Sequence, residues 1–162
     1  MKHTIGVVMD NKPGVLSRIS TLLARKGFNI DSITAGPTSN HEVTRMTVVV
    51  EGDDYVADQA AKEMDKLEDV LKIERLADND TTRREIILIK VSADKKDRAE
   101  IVDLAKIMGC DIVDISQNTL MLEHSDRPEK IDLLVELLED YTILDMARGG
   151  AIALEKGQNE DR

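Results

Sequence analysis

The sequence holds a single cysteine, Cys110, so no internal disulfide can form. That usage suits a reducing compartment, and a cytoplasmic location is the expectation. Aromatic residues are only 2% of the chain and tryptophan is absent. Any core must therefore be built from Ile, Val, Leu, Met and Ala. The same scarcity excludes an RNA-binding sheet, whose central strands carry stacking aromatics. Basic side chains are outnumbered 22 to 32, for a net charge of -10. Phosphate neutralisation needs clustered Lys and Arg, so no nucleic-acid partner is expected. No apolar run approaches the roughly 20 residues that span a bilayer, so no membrane association is expected. The start, Met1-Lys2-His3-Thr4, lacks an extended apolar signal region. A Walker loop, a Gly-x-Gly-x-x-Gly motif and a nucleophile motif are all missing. His3, His41 and His124 are scattered and read as solvated or edge histidines, none at metal-ligand spacing. Cys110 reads as the start of a buried strand. No catalytic group and no metal site are expected.

What is present is a repeated pattern. Ile5 to Met9 reads as a strand, and Val15, Ile19, Leu22 and Leu23 recur at helical spacing after it. Arg25 and Lys26 suit the end of that helix, and Gly27 is placed to stop it. Phe28 to Ala35 is a second strand, closed by Gly36-Pro37. Met46, Val48 and Val50 alternate as one face of a third. Gly52-Asp53-Asp54 caps a helix with Val56, Ala60, Met64 and Leu67 inward, and Val70 to Leu76 is a fourth strand. The order is βαββαβ. The polar stretch 78–82 is the expected linker. A second βαββαβ pattern follows: a strand at Ile86 to Val91, then a helix with Ile101, Leu104, Ala105 and Met108 inward. A hairpin follows, turning near Gln117-Asn118, and Pro128 opens a helix carrying Ile131, Leu134, Val135 and Leu138. Thr142 to Leu154 is strand-like, interrupted at Gly149-Gly150. "KGFNIDSI" (26–33) and "MGCDIVDI" (108–115) match in register, each after a helix. The fold class expected is α+β, two ferredoxin-like βαββαβ units in tandem at 1–77 and 83–154, with a flexible tail at 155–162. Units of roughly 75 residues bury little core alone and leave edge strands that want partners, so self-association is expected.

The stretch "DNKPGVLSRI" (10–19) holds the candidate site. Asn11 or Lys12 falls in the N-cap region, and Pro13 suits the first helical position. Gly14 has no Cβ, so a ligand can approach the backbone. The helix N-terminus favours an anion such as a carboxylate. Asn11 can both donate and accept. These residues serve a helix cap equally well, and the residue types alone leave both readings open.

"DNKPGVLSRI" followed by "RKGFNIDSITAGPT" resembles the ACT-domain small-molecule sensors. With "RMTVVVEGD" (45–53), "RREIILIKV" (83–91) and "AKIMGCDIVDIS" (105–116), and more loosely "MARGGAIALEKG" (146–157), the chain resembles the regulatory small subunits of acetohydroxyacid synthase, also called acetolactate synthase. The similarity runs in order through nearly the whole chain. "LEHSDRPEK" (122–130) departs from the family's Thr-Gly hairpin end, and Cys110 stands where a small or basic residue is more usual.

The resemblance implies an ACT domain at 1–77 and a chain that is not an enzyme by itself. It implies a catalytic large subunit as partner, carrying thiamine diphosphate, Mg2+ and FAD, with no cofactor in this chain. It implies a homodimer joined side by side through the first units, with a branched-chain amino acid, valine foremost, bound at the interface. Binding would impose feedback inhibition, and the subunit would activate its partner. By position the effector-binding residues are Asn11, Gly14, Val15 and Leu16 from one chain and Asn29 and Ile30 from the other. Backbone N–H groups at Gly14 to Leu16 would hold the carboxylate, Asn11 and Asn29 would orient the ammonium, and Ile30 would form the apolar wall. Two other readings stand beside it. One is an ACT sensor for a different amino acid and partner. The other is an acylphosphatase-like hydrolase on the same topology, for which Arg18 would have to serve the loop.

Overall fold

Nine residues of alternating apolar character make β1, Lys2–Asp10, and the break at 11–14 turns the chain into α1, Val15–Arg25. The structure, a computed structural model, describes residues 1–157. β2 (Asn29–Pro37), β3 (Val43–Glu51), α2 (Asp54–Asp65) and β4 (Val70–Leu76) complete a first βαββαβ unit. Its sheet runs β2-β3-β1-β4 with every neighbouring pair antiparallel, so β2 and β4 are the edges. Ile5, Val7 and Met9 of β1 and Met46, Val48 and Val50 of β3 point to one face. Val15, Ile19 and Leu23 of α1 and Ala57, Ala60 and Met64 of α2 close over them. In α2 it is Ala57 that is fully buried, while Val56, expected inward, is half-buried. Asp53 caps α2 with its side chain, accepting from the Val56 N–H at 2.9 Å.

A second unit covers Arg83–Gly150. It contains most of β5 (Thr81–Ser92), then α3 (Arg98–Met108), β6 (Asp111–Ile115), β7 (Thr119–Asp126), α4 (Pro128–Leu137) and β8 (Ile143–Arg148). Its sheet order, β6-β7-β5-β8, repeats that of the first. Ile87, Ile89 and Val91 of β5 face Leu120 and Leu122 of β7 side by side, under Ile101, Ala105, Ile131 and Leu134. The two ferredoxin-like units are thus present as read.

Two boundaries differ from expectation. The stretch 78–82 is ordered rather than a loose linker: Asp78–Asp80 forms a 3-10 turn and Thr81, already buried, opens β5. The strand-like stretch to Leu154 is interrupted at Gly149-Gly150, as expected. Residues 151–157 belong to the first unit, not the second. There β9, Ile152–Glu155, lies against β1, β3 and β4, with Ala151 and Ala153 buried. The face of the first sheet turned away from its helices is accordingly not solvated: Thr4, Thr47 and Val49 are buried. Small alanines at every second position let β9 approach closely, and the Lys156 N–H donates to the Asp80 carbonyl at 2.7 Å. Of the tail expected to be loose, 158–162 lie outside the described residues.

Candidate effector site

The loop between β1 and α1 is fastened to the β2–β3 connection. The Asn11 N–H donates to the Glu42 carbonyl at 2.7 Å, and Asn11 Nδ2 donates to the His41 carbonyl at 2.8 Å. The N-cap is Gly14, in the left-handed region at φ 85, and α1 begins at Val15. Pro13 therefore lies in the turn before the helix rather than at its first position. The left-handed residue must come last before the helix, and only glycine takes that conformation without penalty. No side chain caps α1. The Val15 N–H makes a long 3.4 Å contact to the Lys12 carbonyl, and the first intrahelical bond is from Arg18 to Gly14. The N–H groups of Leu16 and Ser17 have no acceptor inside the helix. They are the donors that a carboxylate can meet.

The side chains around this end sort themselves. Val15 is 2% exposed and belongs to the core, so only its backbone is available. Leu16 is 43% exposed and is the apolar side chain on the open surface. Lys12 pairs with Asp10 at 2.5 Å, and that hydrogen bond raises the Lys12 pKa. Arg18 is engaged by Asp69. A hydrolase reading needs that guanidinium in the loop, and its ion pair and place one turn into the helix argue against it.

Asn29 and Ile30 are elsewhere. Asn29 opens β2 opposite Glu51, and Glu51 pairs with Lys2 at the start of β1. Asn11 follows Asp10 at the other end of β1. The nine-residue strand separates the two sets by about 27 Å at ~3.3 Å per residue. Ile30 is half-buried and packs on the core beside Val50. Within one chain the structure brings Asn11, Gly14, Val15 and Leu16 together at one end of the sheet and Asn29 with Ile30 at the other.

Two other expectations change. His124 is no edge histidine: β7 alternates Leu120, Leu122 and His124 onto the core face, and His124 is 6% exposed, its Nε2 making no hydrogen bond and lying 3.9 Å from Asp126 Oδ2. Cys110 is half-buried against the second core, but the strand after it, β6, is a largely exposed edge. His3 is also partly enclosed, with Nδ1 3.3 Å from Arg75 Nη2. Among the described residues no group of three His, Cys, Asp or Glu is placed to hold a metal ion. No helix among them is long and apolar enough to cross a membrane.

A β2-β3-β1-β4 sheet with two helices on one face, and a glycine opening the N-terminus of the first helix, defines the ACT class of domain. The model for the "AHAS small subunit-like ACT domain" matches residues 5–72, and that for the "Small subunit of acetolactate synthase" matches 84–157. Between them they span both units, and the chain belongs to the acetolactate synthase small-subunit family. It is 40% identical to the probable acetolactate synthase small subunit of Archaeoglobus fulgidus, over 99% of this chain and 100% of that one. It is 37% identical to the acetolactate synthase small subunit of Mycolicibacterium smegmatis, over 96% and 91% of the two chains. The crystal structure of the acetolactate synthase small subunit from Thermotoga maritima superposes with a TM-score of 0.90 at 32% identity, covering 98% and 99%.

Proposed function

We propose that this chain is the non-catalytic regulatory subunit of an acetolactate synthase. In this reading it dimerises through β2 and binds a branched-chain amino acid, valine foremost, between two copies. It activates a catalytic subunit that carries thiamine diphosphate, Mg2+ and FAD, and confers feedback inhibition on it in the cytoplasm. The observation that carries the effector reading is the separation of the two halves of the site. β2 is an edge strand with an unpaired row of backbone groups. Its end, Pro37, lies at the Asn11 end of the sheet, where the Thr38 N–H donates to the Val43 carbonyl at 3.0 Å. Antiparallel pairing of β2 with β2 of a second copy sets that copy's Asn29 beside this copy's Pro37. The Gly14 helix terminus and the second copy's Asn29 then flank one cleft. The terminus offers N–H groups to a carboxylate, the two asparagines offer acceptors to an ammonium, and Leu16 and Ile30 offer aliphatic surface.

An apolar wall of this kind separates valine from a shorter or polar side chain by only ~1–3 kcal/mol, so it recognises the branched-chain class rather than one member of it. Calorimetry of the full chain with valine, leucine, isoleucine and serine tests the reading. Saturable heat with valine, at a stoichiometry tied to the dimer, is the expected result. Absence of heat with all three branched-chain amino acids, with and without the catalytic subunit, overturns it.

A further inference from the structure

The second unit leaves open the sheet face that the first unit covers. In the first unit the side turned away from the helices lies under β9, and Thr4, Thr47 and Val49 are buried there. In the second, β5 sends Ile87, Ile89 and Val91 to the helices and Ile86, Leu88 and Lys90 to the other side. Ile86 is 47% exposed and Leu88 37%. The register shows what surrounds them, because residues directly opposite each other share a face. Leu88 stands between Glu123 on β7 and Ala147 on β8, and Asp111 on β6 lies beyond Glu123. Lys90 stands between Met121 and Asp145, with Asp114 beyond Met121. Two neighbouring rows of the sheet thus carry four carboxylates beside the aliphatic side chains of Ile86, Leu88 and Met121. Lys90 is the cation in their midst, and it forms an ion pair with none of them. Arg84, on the same side of β5, is roughly 20 Å from Lys90 along the strand.

We propose that this face is where the second unit receives the catalytic subunit, and that what lands on it is a segment of aliphatic side chains flanked by Lys or Arg. The inference rests on the partnership with a catalytic subunit proposed above and is independent of the effector site. The aliphatic strip gains by leaving water, and the first unit shows that the matching face of this fold accepts a strand when its own chain supplies one. The carboxylates decide the occupant. A second copy of the same face would set its own carboxylates against these, and like charges brought together across an interface reject a partner. A basic rim does the opposite. Its ammonium or guanidinium groups meet the carboxylates of Asp111, Asp114, Glu123 and Asp145 in charge-assisted hydrogen bonds at the border of the strip. The same field draws a basic surface in from a distance, so it raises the rate of encounter as well. The aliphatic side chains then supply the contact that holds, and the charges supply the choice of partner and the register.

The test is titration of the purified catalytic subunit of the same genome with the full chain, at low and at high salt. Activation and the mass of the complex by light scattering are the readouts, with a thermal melt of each variant to show that it is folded. Wild-type affinity is expected to fall as salt rises. Leu88→Ser is expected to weaken binding about tenfold, the loss of one buried aliphatic side chain. Asp114→Lys combined with Asp145→Lys is expected to weaken it by about tenfold or more and to flatten the salt dependence. Asp103→Lys combined with Glu136→Lys makes the same change of charge on the exposed sides of α3 and α4. That control is expected to stay within about twofold of wild type. Wild-type affinity in both face variants overturns the proposal, as does an equal loss in the control. A fall in the mass of the chain alone on Leu88→Ser also overturns it, by making the face a contact between copies. A wild type that does not bind the catalytic subunit removes the regulatory-subunit reading and this inference together. A binding wild type with indifferent face variants removes only the role of the face.

Discussion

Replacing Gly14 with aspartate separates ligand binding from stability, because the two effects come from different atoms. The backbone at Gly14 has φ 85, a left-handed conformation that costs an L-residue roughly 1–2 kcal/mol, less for Asp and Asn than for others. A Cβ there meets one neighbour, Arg18 Nη1 at 3.6 Å, an ordinary contact. A carboxylate at the start of α1 recovers about 0.3–1 kcal/mol from the helix dipole. The net destabilisation is about 1 kcal/mol, a fall of roughly 4–8 °C in Tm for a unit of this size. Binding suffers far more. The new carboxylate stands where the ligand's carboxylate would meet the Leu16 and Ser17 N–H groups. Two like charges about 4 Å apart repel by ~4 kcal/mol at an effective dielectric of about 20. That is on the order of a thousandfold in Kd. Gly14→Asn, of the same shape without the charge, is expected to fall between. The assay is paired: valine calorimetry and a thermal melt on each variant. Wild-type valine affinity in Gly14→Asp would refute the assignment of α1's N-terminus to the carboxylate.

Further outcomes follow from the second unit. Burial, and then the charge of Asp111, push the Cys110 thiol up to about 11. Ellman's reagent should therefore react slowly with the folded chain at pH 8, gaining about tenfold per pH unit below that value; a rate at pH 8 equal to that of the urea-unfolded chain contradicts this. The Asp94 carboxylate accepts from the N–H groups of Lys96 at 2.8 Å and Asp97 at 3.2 Å, which hold its pKa below the ordinary carboxylate value. Its contribution is full above the unfolded value near ~4 and is lost as pH falls through the lower folded value. Thermal melts on the acid side should show a shallower decline for Asp94→Asn than for wild type, and parallel declines would remove Asp94 as a cause. Arg148 donates from Nε to Glu85 Oε2 at 2.7 Å and from Nη1 to Asp132 at 2.6 Å, while Glu85 is only 8% exposed. Arg148→Met strands the Glu85 carboxylate and should cost about 3 kcal/mol in urea unfolding. A loss under about 1 kcal/mol would mean that water reaches Glu85.

Most of this fold is legible in periodicity. Val15, Ile19 and Leu23 meet the core because a helix repeats near every fourth residue, and Met46, Val48 and Val50 meet it because a strand repeats every second. The same rule of two carries His124 inside with Leu120 and Leu122. Polarity argued for the surface there, and geometry decided otherwise. The placing of β9 escaped because nothing in its own residues says which sheet face it packs against. Alternating Ala with Ile and Leu gives the strand, and the smaller side chains turn out to be the buried ones. Asn11 and Gly14 were legible as a loop able to hold an anion, but the N-cap moved to Gly14 because backbone handedness has no periodic signal.

The candidate site was legible only in halves, and the reason is physical. A pattern within one chain reports contacts that chain makes with itself. Asn11 and Asn29 lie at opposite ends of one sheet, so no spacing in the sequence can bring them together. What brings them together in the proposed dimer is an unpaired edge and a two-fold axis. That arrangement also bears on regulation. A ligand changes an equilibrium only by the difference in its affinity for the two states. A cleft wholly inside one rigid unit binds much the same in every arrangement of copies. A cleft made from the α1 terminus of one copy and the β2 start of another exists only while the two copies hold one register. Its occupancy is then differential by construction: the ligand stabilises that register against every other, and a catalytic partner resting on the dimer meets a surface whose geometry the amino acid has helped to select.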